Sequence, residues 1–130
     1  MRRHRLITAC LVALFWGGID LAWAQLPRPD ASDAEVQRRV AVVVLARRIR
    51  GYAAMAKANS DCLVDQGRLS AAQADRALVI SLEELGISPT VLLNPLVKAL
   101  SPRLQALLTQ QCSLEPDQEA TALKLTETEL

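Results

Sequence analysis

Residues 32–67 read SDAEVQRRVAVVVLARRIRGYAAMAKANSDCLVDQG, and whether they form a helix or a strand decides the fold. The case for a strand is the run Val40-Ala41-Val42-Val43-Val44-Leu45, rich in the β-branched side chains that suit a pleated surface. The case for a helix is wider. Ser32-Asp33-Ala34-Glu35 has the spacing of a capping box, in which the serine hydroxyl accepts from an amide three residues on and the glutamate answers the serine amide. Val42, Leu45, Ile49, Tyr52, Ala56, Asn59 and Leu63 recur at alternating steps of three and four, which puts them on one stripe. Gln66-Gly67 ends the run, with Gly67 suited to the left-handed position just past a helix. Caps and spacing agree and no partner strand is in sight. We therefore read one long helix and expect that stripe to be its buried side.

Towards the C-terminus the helical signals continue. Ser70-Ala71-Ala72-Gln73 is a second capping box, preceded by Leu69, which can staple onto Ala74. Ala74, Leu78, Leu82 and Leu85 form the apolar stripe of this second helix, and Leu85-Gly86-Ile87 predicts a Schellman stop with Ile87 folding back on Leu82. Ser88-Pro89, Asn94-Pro95 and Ser101-Pro102 follow, each a good cap residue before a proline suited to the first helical position. They predict either several short helices or one helix kinked at each proline. Leu92, Leu93, Leu96, Val97, Leu100, Leu104, Leu107 and Leu108 give this third segment its apolar side. From Ser113 the chain turns acidic, and residues 114–130 read as a mostly disordered tail.

Towards the N-terminus the pattern changes. Gln25 to Asp30 holds two prolines, so residues 25–31 form an extended leader. Residues 1–24 have the three parts of a secretory signal peptide: basic Arg2, Arg3 and Arg5, an apolar run from Leu6 to Trp16, and the small-x-small exit Ala22-Trp23-Ala24. Cleavage is expected between Ala24 and Gln25, after export to the periplasm or the extracellular space. The apolar run is too short to remain as a membrane span, and Asp20 sits badly in lipid.

Loss of that peptide would remove the chain's single histidine, His4, together with Phe15, Trp16 and Trp23. Acids would then exceed bases by one residue, and Tyr52 would be the last aromatic. Without histidine there is no Ser-His or Cys-His pair and no ordinary zinc site. With one aromatic there is no stacking platform for bases, and the near-neutral charge gives no general attraction to nucleic acid. No glycine-rich phosphate loop or calcium loop occurs, and Glu83-Glu84 point about 100° apart, as solvated neighbours do. We expect no cofactor and no enzyme activity.

Two features remain. Cys62 and Cys112 in an exported chain of this size are expected to pair as a structural disulfide, near the ends of the first and third helices. Arg38, Arg39, Arg47, Arg48 and Arg50 crowd the first helix; Arg39, Arg47 and Arg50 share a broad side while Arg38 and Arg48 fall elsewhere. That spread reads as a solvated face, with an acidic partner or the chain's own acidic tail as the alternative occupant. The stretch Val40 to Leu45 is apolar all round, so burying one side leaves valines wet. Either the helix bends back early or that half meets another surface through Val36, Val40, Val43 and Val44.

The expected fold is thus a small all-α domain over residues 32–113: three helices running up, down and up, the third broken by prolines, with one disulfide. The expected function is contact with another protein, or with a second copy in a homodimer. One alternative is carriage of an apolar small molecule or lipid between the helices. The other is an envelope holdase, which resembles the periplasmic acid-stress chaperones in being exported, helical, small and singly bridged.

Overall fold

A computed structural model of the chain describes residues 30–130; the expected signal peptide, the cleavage point at Ala24 and Gln25, and nearly all of the leader lie outside them. The chain divides into two units, Met1–Val36 and Gln37–Leu130. Of the first, the description covers Asp30 and the opening turns of a helix. The second holds the core.

The described residues form four α-helices: α1 (Ala31–Asp65), α2 (Ala71–Glu84), α3 (Pro95–Gln105) and α4 (Glu119–Glu129). A 3₁₀ turn, Pro89–Leu93, lies between α2 and α3. The domain is all-α, as the periodicity predicts, but with a fourth helix in place of a loose tail. Residues 40–45 are helical, and the strand reading falls.

Local chemistry explains most boundaries. α1 begins as soon as the prolines at 27 and 29 are passed: the Asp30 carbonyl accepts from the amides of Asp33 and Ala34 at 2.8 and 3.1 Å. The cap position is therefore Asp30, and the expected box at Ser32 lies inside the helix. At the other end the Gly67 and Arg68 amides donate to the carbonyls of Val64 and Leu63, with Gly67 at φ 66°. The Ser70 box forms as read. Ser70 Oγ accepts from the Gln73 amide at 3.3 Å, and the Ser70 amide donates to Gln73 Oε1 at 3.0 Å. So does the Schellman stop, with Gly86 N–H to Glu83 and Ile87 N–H to Leu82, both at 2.9 Å. Leu85, expected in the buried stripe, is 57% exposed because this turn carries the chain off the core.

The three prolines of the third segment behave differently. Ser88-Pro89 opens the 3₁₀ turn and Asn94-Pro95 opens α3, where Asn94 Oδ1 accepts from the Leu96 amide at 2.9 Å. Ser101-Pro102 starts nothing: Pro102 lies inside α3. Its ring removes one amide donor near the helix end, the one that would otherwise reach the carbonyl of Lys98, an exposed residue. After α3, a tight loop is closed by an antiparallel bridge between Leu108 and Leu114. Thr109 holds it by donating to and accepting from Ser113 and Cys112 backbone groups at 2.9 Å, with Cys112 at φ 57°.

One core joins all four helices: Ala53, Ala54 and Ala58 from α1, Leu78 and Leu82 from α2, Val97, Leu100 and Leu104 from α3, and Ala122 from α4. The buried side of α1 is not the expected one. Gly51, Ala54, Ala58 and Cys62 are buried within about 80° of arc, centred about 130° from the stripe at Tyr52, Ala56, Asn59 and Leu63, and Ala53, buried as well, lies outside that arc. Val42 and Leu45 of that stripe are exposed. Small side chains let neighbouring helices approach closely, so the tightest contact falls on the side with the least hydrophobic bulk. The Cys62–Cys112 disulfide forms, with Cα atoms 5.7 Å apart. It ties the end of α1 to the loop after α3, and Gln105 Nε2 at the end of α3 also donates to Asp65 Oδ2 at 2.7 Å.

Candidate functional site

The small-residue side of α1 continues along the helix as Arg47, Val44, Val43 and Val40, since residues spaced at three and four stay on one face. In the second half of α1 that face is covered. In the first half it is not: Val36, Val40, Val43 and Val44 are 42–59% exposed. Val42 and Leu45, on the other side, are exposed as well. α1 spans about 52 Å at 1.5 Å per residue, against about 16 Å each for α3 and α4, so the shorter helices run out before α1 does.

The expected partner surface therefore stands in the open for its four valines and for Arg47, and Arg39 is exposed too. Arg50 departs from expectation. It is half-buried, and its Nη2 donates to the main-chain oxygen of Leu130 at 2.7 Å, so it holds the end of α4 in place. Its Nε is buried with no hydrogen-bond partner. The acidic tail thus docks on the arginine-bearing helix, which corrects the expectation of disorder. Its contacts are a main-chain oxygen and apolar packing more than carboxylates. A Cβ on Gly51 would lie 3.5 Å from the Thr126 side chain and 3.7 Å from Leu130 Cδ1, which shows how near α4 lies. Arg103 pairs with Glu129 at 3.0 Å on the surface.

Between α1 and α4 lies a groove of about 440 Å³, lined by Val44, Arg47, Arg48, Gly51 and Tyr52 on one side and Leu123, Thr126 and Glu127 on the other. Its lining combines two arginines and one glutamate with the apolar side chains of Val44 and Leu123. Sequence reading missed the α4 half of this groove, because alternating acids and threonines hide Leu123 and Ala122. The available signal was Gly51, a glycine in mid-helix, which often marks close approach of another backbone.

A second groove, about 290 Å³, lies between α1 and α2, with Tyr52, Met55, Ala56 and Leu63 facing Leu69, Ala74 and Leu78. Asn59 also lines it, and its Oδ1 is buried without a hydrogen-bond partner. Lys57 Nζ donates to both oxygens of Asp61 at 2.8 and 2.9 Å, and Asp65 accepts from Gln105. Among the described residues no three His, Cys, Asp or Glu cluster as metal ligands, and no helix is long and apolar enough to cross a membrane. What the arrangement offers is apolar surface beside positive charge. No family model matches the chain, and no curated protein or solved structure does.

Proposed function

We propose that the protein is exported, to the periplasm or the extracellular space, and works without catalysis by binding another protein through the valine face of α1. The observation that carries this is the exposure of Val40, Val43 and Val44 along one face of α1. Water-exposed valines at consecutive turns are an unusual expense of apolar surface on a soluble helix, and such patches mark interaction sites. Export is supported by the residue pattern of 1–24 and by a disulfide of the kind that oxidising compartments preserve. A non-catalytic role is supported by the lack of histidine after residue 4 and by the pairing of Lys57 with Asp61.

The test is site-specific photo-crosslinking in the native host. A photoreactive residue at 40, 43 or 44 should give a discrete protein adduct, and one at Ile80, an exposed control on α2, should not. Uniform failure at all three valine positions overturns the proposal. Intact mass of the recovered protein should show a chain starting at Gln25 and lacking the two thiol protons. A second reading, carriage of an apolar molecule, is favoured by the α1–α2 groove and its unpartnered Asn59 Oδ1. A bound molecule surviving into native mass spectrometry, and lost in Ala77→Trp, would support it.

A further inference from the structure

We infer that the α1–α4 groove binds a single-chain amphiphile with one anionic head, a long-chain carboxylate, its head between Arg47 and Arg48 and its tail on Val44, Leu123 and Tyr52. The inference stands apart from the protein contact proposed above, and every residue it uses belongs to the unit Gln37–Leu130.

Charge selects the head. The groove is lined by two arginines and one glutamate, Glu127, so its walls carry one positive charge in excess, which a monoanion neutralises. The other arginines near it are engaged: Arg50 holds Leu130 and Arg103 pairs with Glu129, while Arg38 and Arg39 have interactions of their own. Among the described residues Arg47, Arg48 and Glu127 have no ion pair and no side-chain hydrogen bond, so Glu127 does not cancel the charge by pairing. Consecutive helical residues project about 100° apart, so a groove lined by both arginines has one on each flank, and a carboxylate lying between them receives from both.

Packing selects the tail. Val44, Tyr52 and Leu123 are 42%, 45% and 60% exposed, and all three line this groove. Thr126 adds to the apolar surface. Its hydroxyl donates to the Leu123 carbonyl of its own helix at 2.7 Å, while its methyl carbon lies 3.5 Å from where a Cβ on Gly51 would stand. A bare anion would leave this surface wet, and an uncharged chain would leave two guanidinium groups without a counter-charge. The volume, about 440 Å³, is that of a small-molecule site, well short of the broad faces that proteins bury against one another. The α4 wall is also held in advance, since Arg50 and Arg103 anchor Leu130 and Glu129 in the turn that carries Thr126 and Glu127. A preformed wall leaves little ordering for the ligand to impose.

Calorimetric titration of the protein expressed from its full chain with dodecanoate, kept below the concentration at which it self-associates, tests this. One dodecanoate should bind per chain with a Kd on the order of 10–100 μM, more weakly as salt rises. Arg47→Gln combined with Arg48→Gln should weaken binding at least about tenfold, and Glu127→Gln should tighten it about threefold, a gain that a damaged fold does not imitate. Acetate, a head without a tail, and dodecyltrimethylammonium, a tail with the opposite head, should not bind in that range. No dodecanoate binding up to about 1 mM, binding indifferent to the arginine pair, or equal affinity for uncharged dodecyl maltoside would each overturn the inference. Binding abolished by Ala77→Trp would do so too, by placing the ligand between α1 and α2. So would a photoreactive residue at position 123 that gives an adduct to another protein or to a second copy, undiminished by dodecanoate. Positions 40 and 43 lie outside the groove, so failure of this site and failure of the partner face are read separately.

Discussion

At the scale of single residues, Gly51 and Ser101 carry opposite lessons about the core. Gly51 lies in mid-helix, where glycine costs about 1 kcal/mol relative to alanine. Its neighbour on α4, Thr126, donates its hydroxyl to the Leu123 carbonyl at 2.7 Å, and its side-chain carbons lie 3.5 Å from where a Cβ would stand. That is ordinary contact distance. Gly51→Ala should therefore raise stability by about 0.5–1 kcal/mol, read as a higher melting temperature. Gly51→Val, whose extra methyls meet Thr126 and Leu130, should lower it by about 1–3 kcal/mol. Ser101 is 1% exposed and its hydroxyl has no hydrogen-bond partner. A buried polar atom without a partner is costly, so Ser101→Ala should stabilise by about 1 kcal/mol in urea unfolding. A loss instead would show that the hydroxyl holds a partner in solution.

At the scale of elements, what was legible depended on whether the signal was local. The Ser70 box, the Gly67 and Gly86 stops and the Asn94 cap are decided within four or five residues, and each forms as read. Ser70→Ala should accordingly cost about 1 kcal/mol, measurable as a shifted urea midpoint with unchanged slope. Pro102 and α4 were not legible, because both depend on neighbours far along the chain. Pro102 is tolerated inside α3 because Leu100 and Leu104 on either side of it are buried in the core. α4 has no side-chain cap and a weak stripe, and as an isolated peptide of 11 residues it would be marginal. Burial of Ala122 and the anchoring of Leu130 by Arg50 hold it. A chain ending at Gln118 should lose melting temperature and expose the Gly51 face. Glu129→Gln, which breaks only an exposed ion pair, should change stability by less than about 0.5 kcal/mol. The candidate site was half legible for the same reason. Its valines stand in the sequence, whereas its α4 wall exists only once the chain has folded.

At the scale of the whole molecule, the core formed by the described residues is made of alanines, leucines and one valine, with no aromatic ring among them. Such a core fills little volume, and the bond between Cys62 and Cys112 compensates by joining residues fifty apart in sequence. In the chain-entropy picture a loop of that length restricts the unfolded state by about 4 kcal/mol, against typical totals of about 5–15. Cys62→Ser with Cys112→Ser should therefore fall by several kcal/mol in urea and lose most of its cooperativity near body temperature. The unequal cover of α1 has a further consequence. Helical segments of a dozen residues open easily when nothing packs on them, and opening is what admits deuterium. Amide exchange should thus grade along one continuous helix, slow through Ala53–Cys62 and fast through residues 37–46. The fast end is then a clock that a bound partner stops, legible without any label on either molecule.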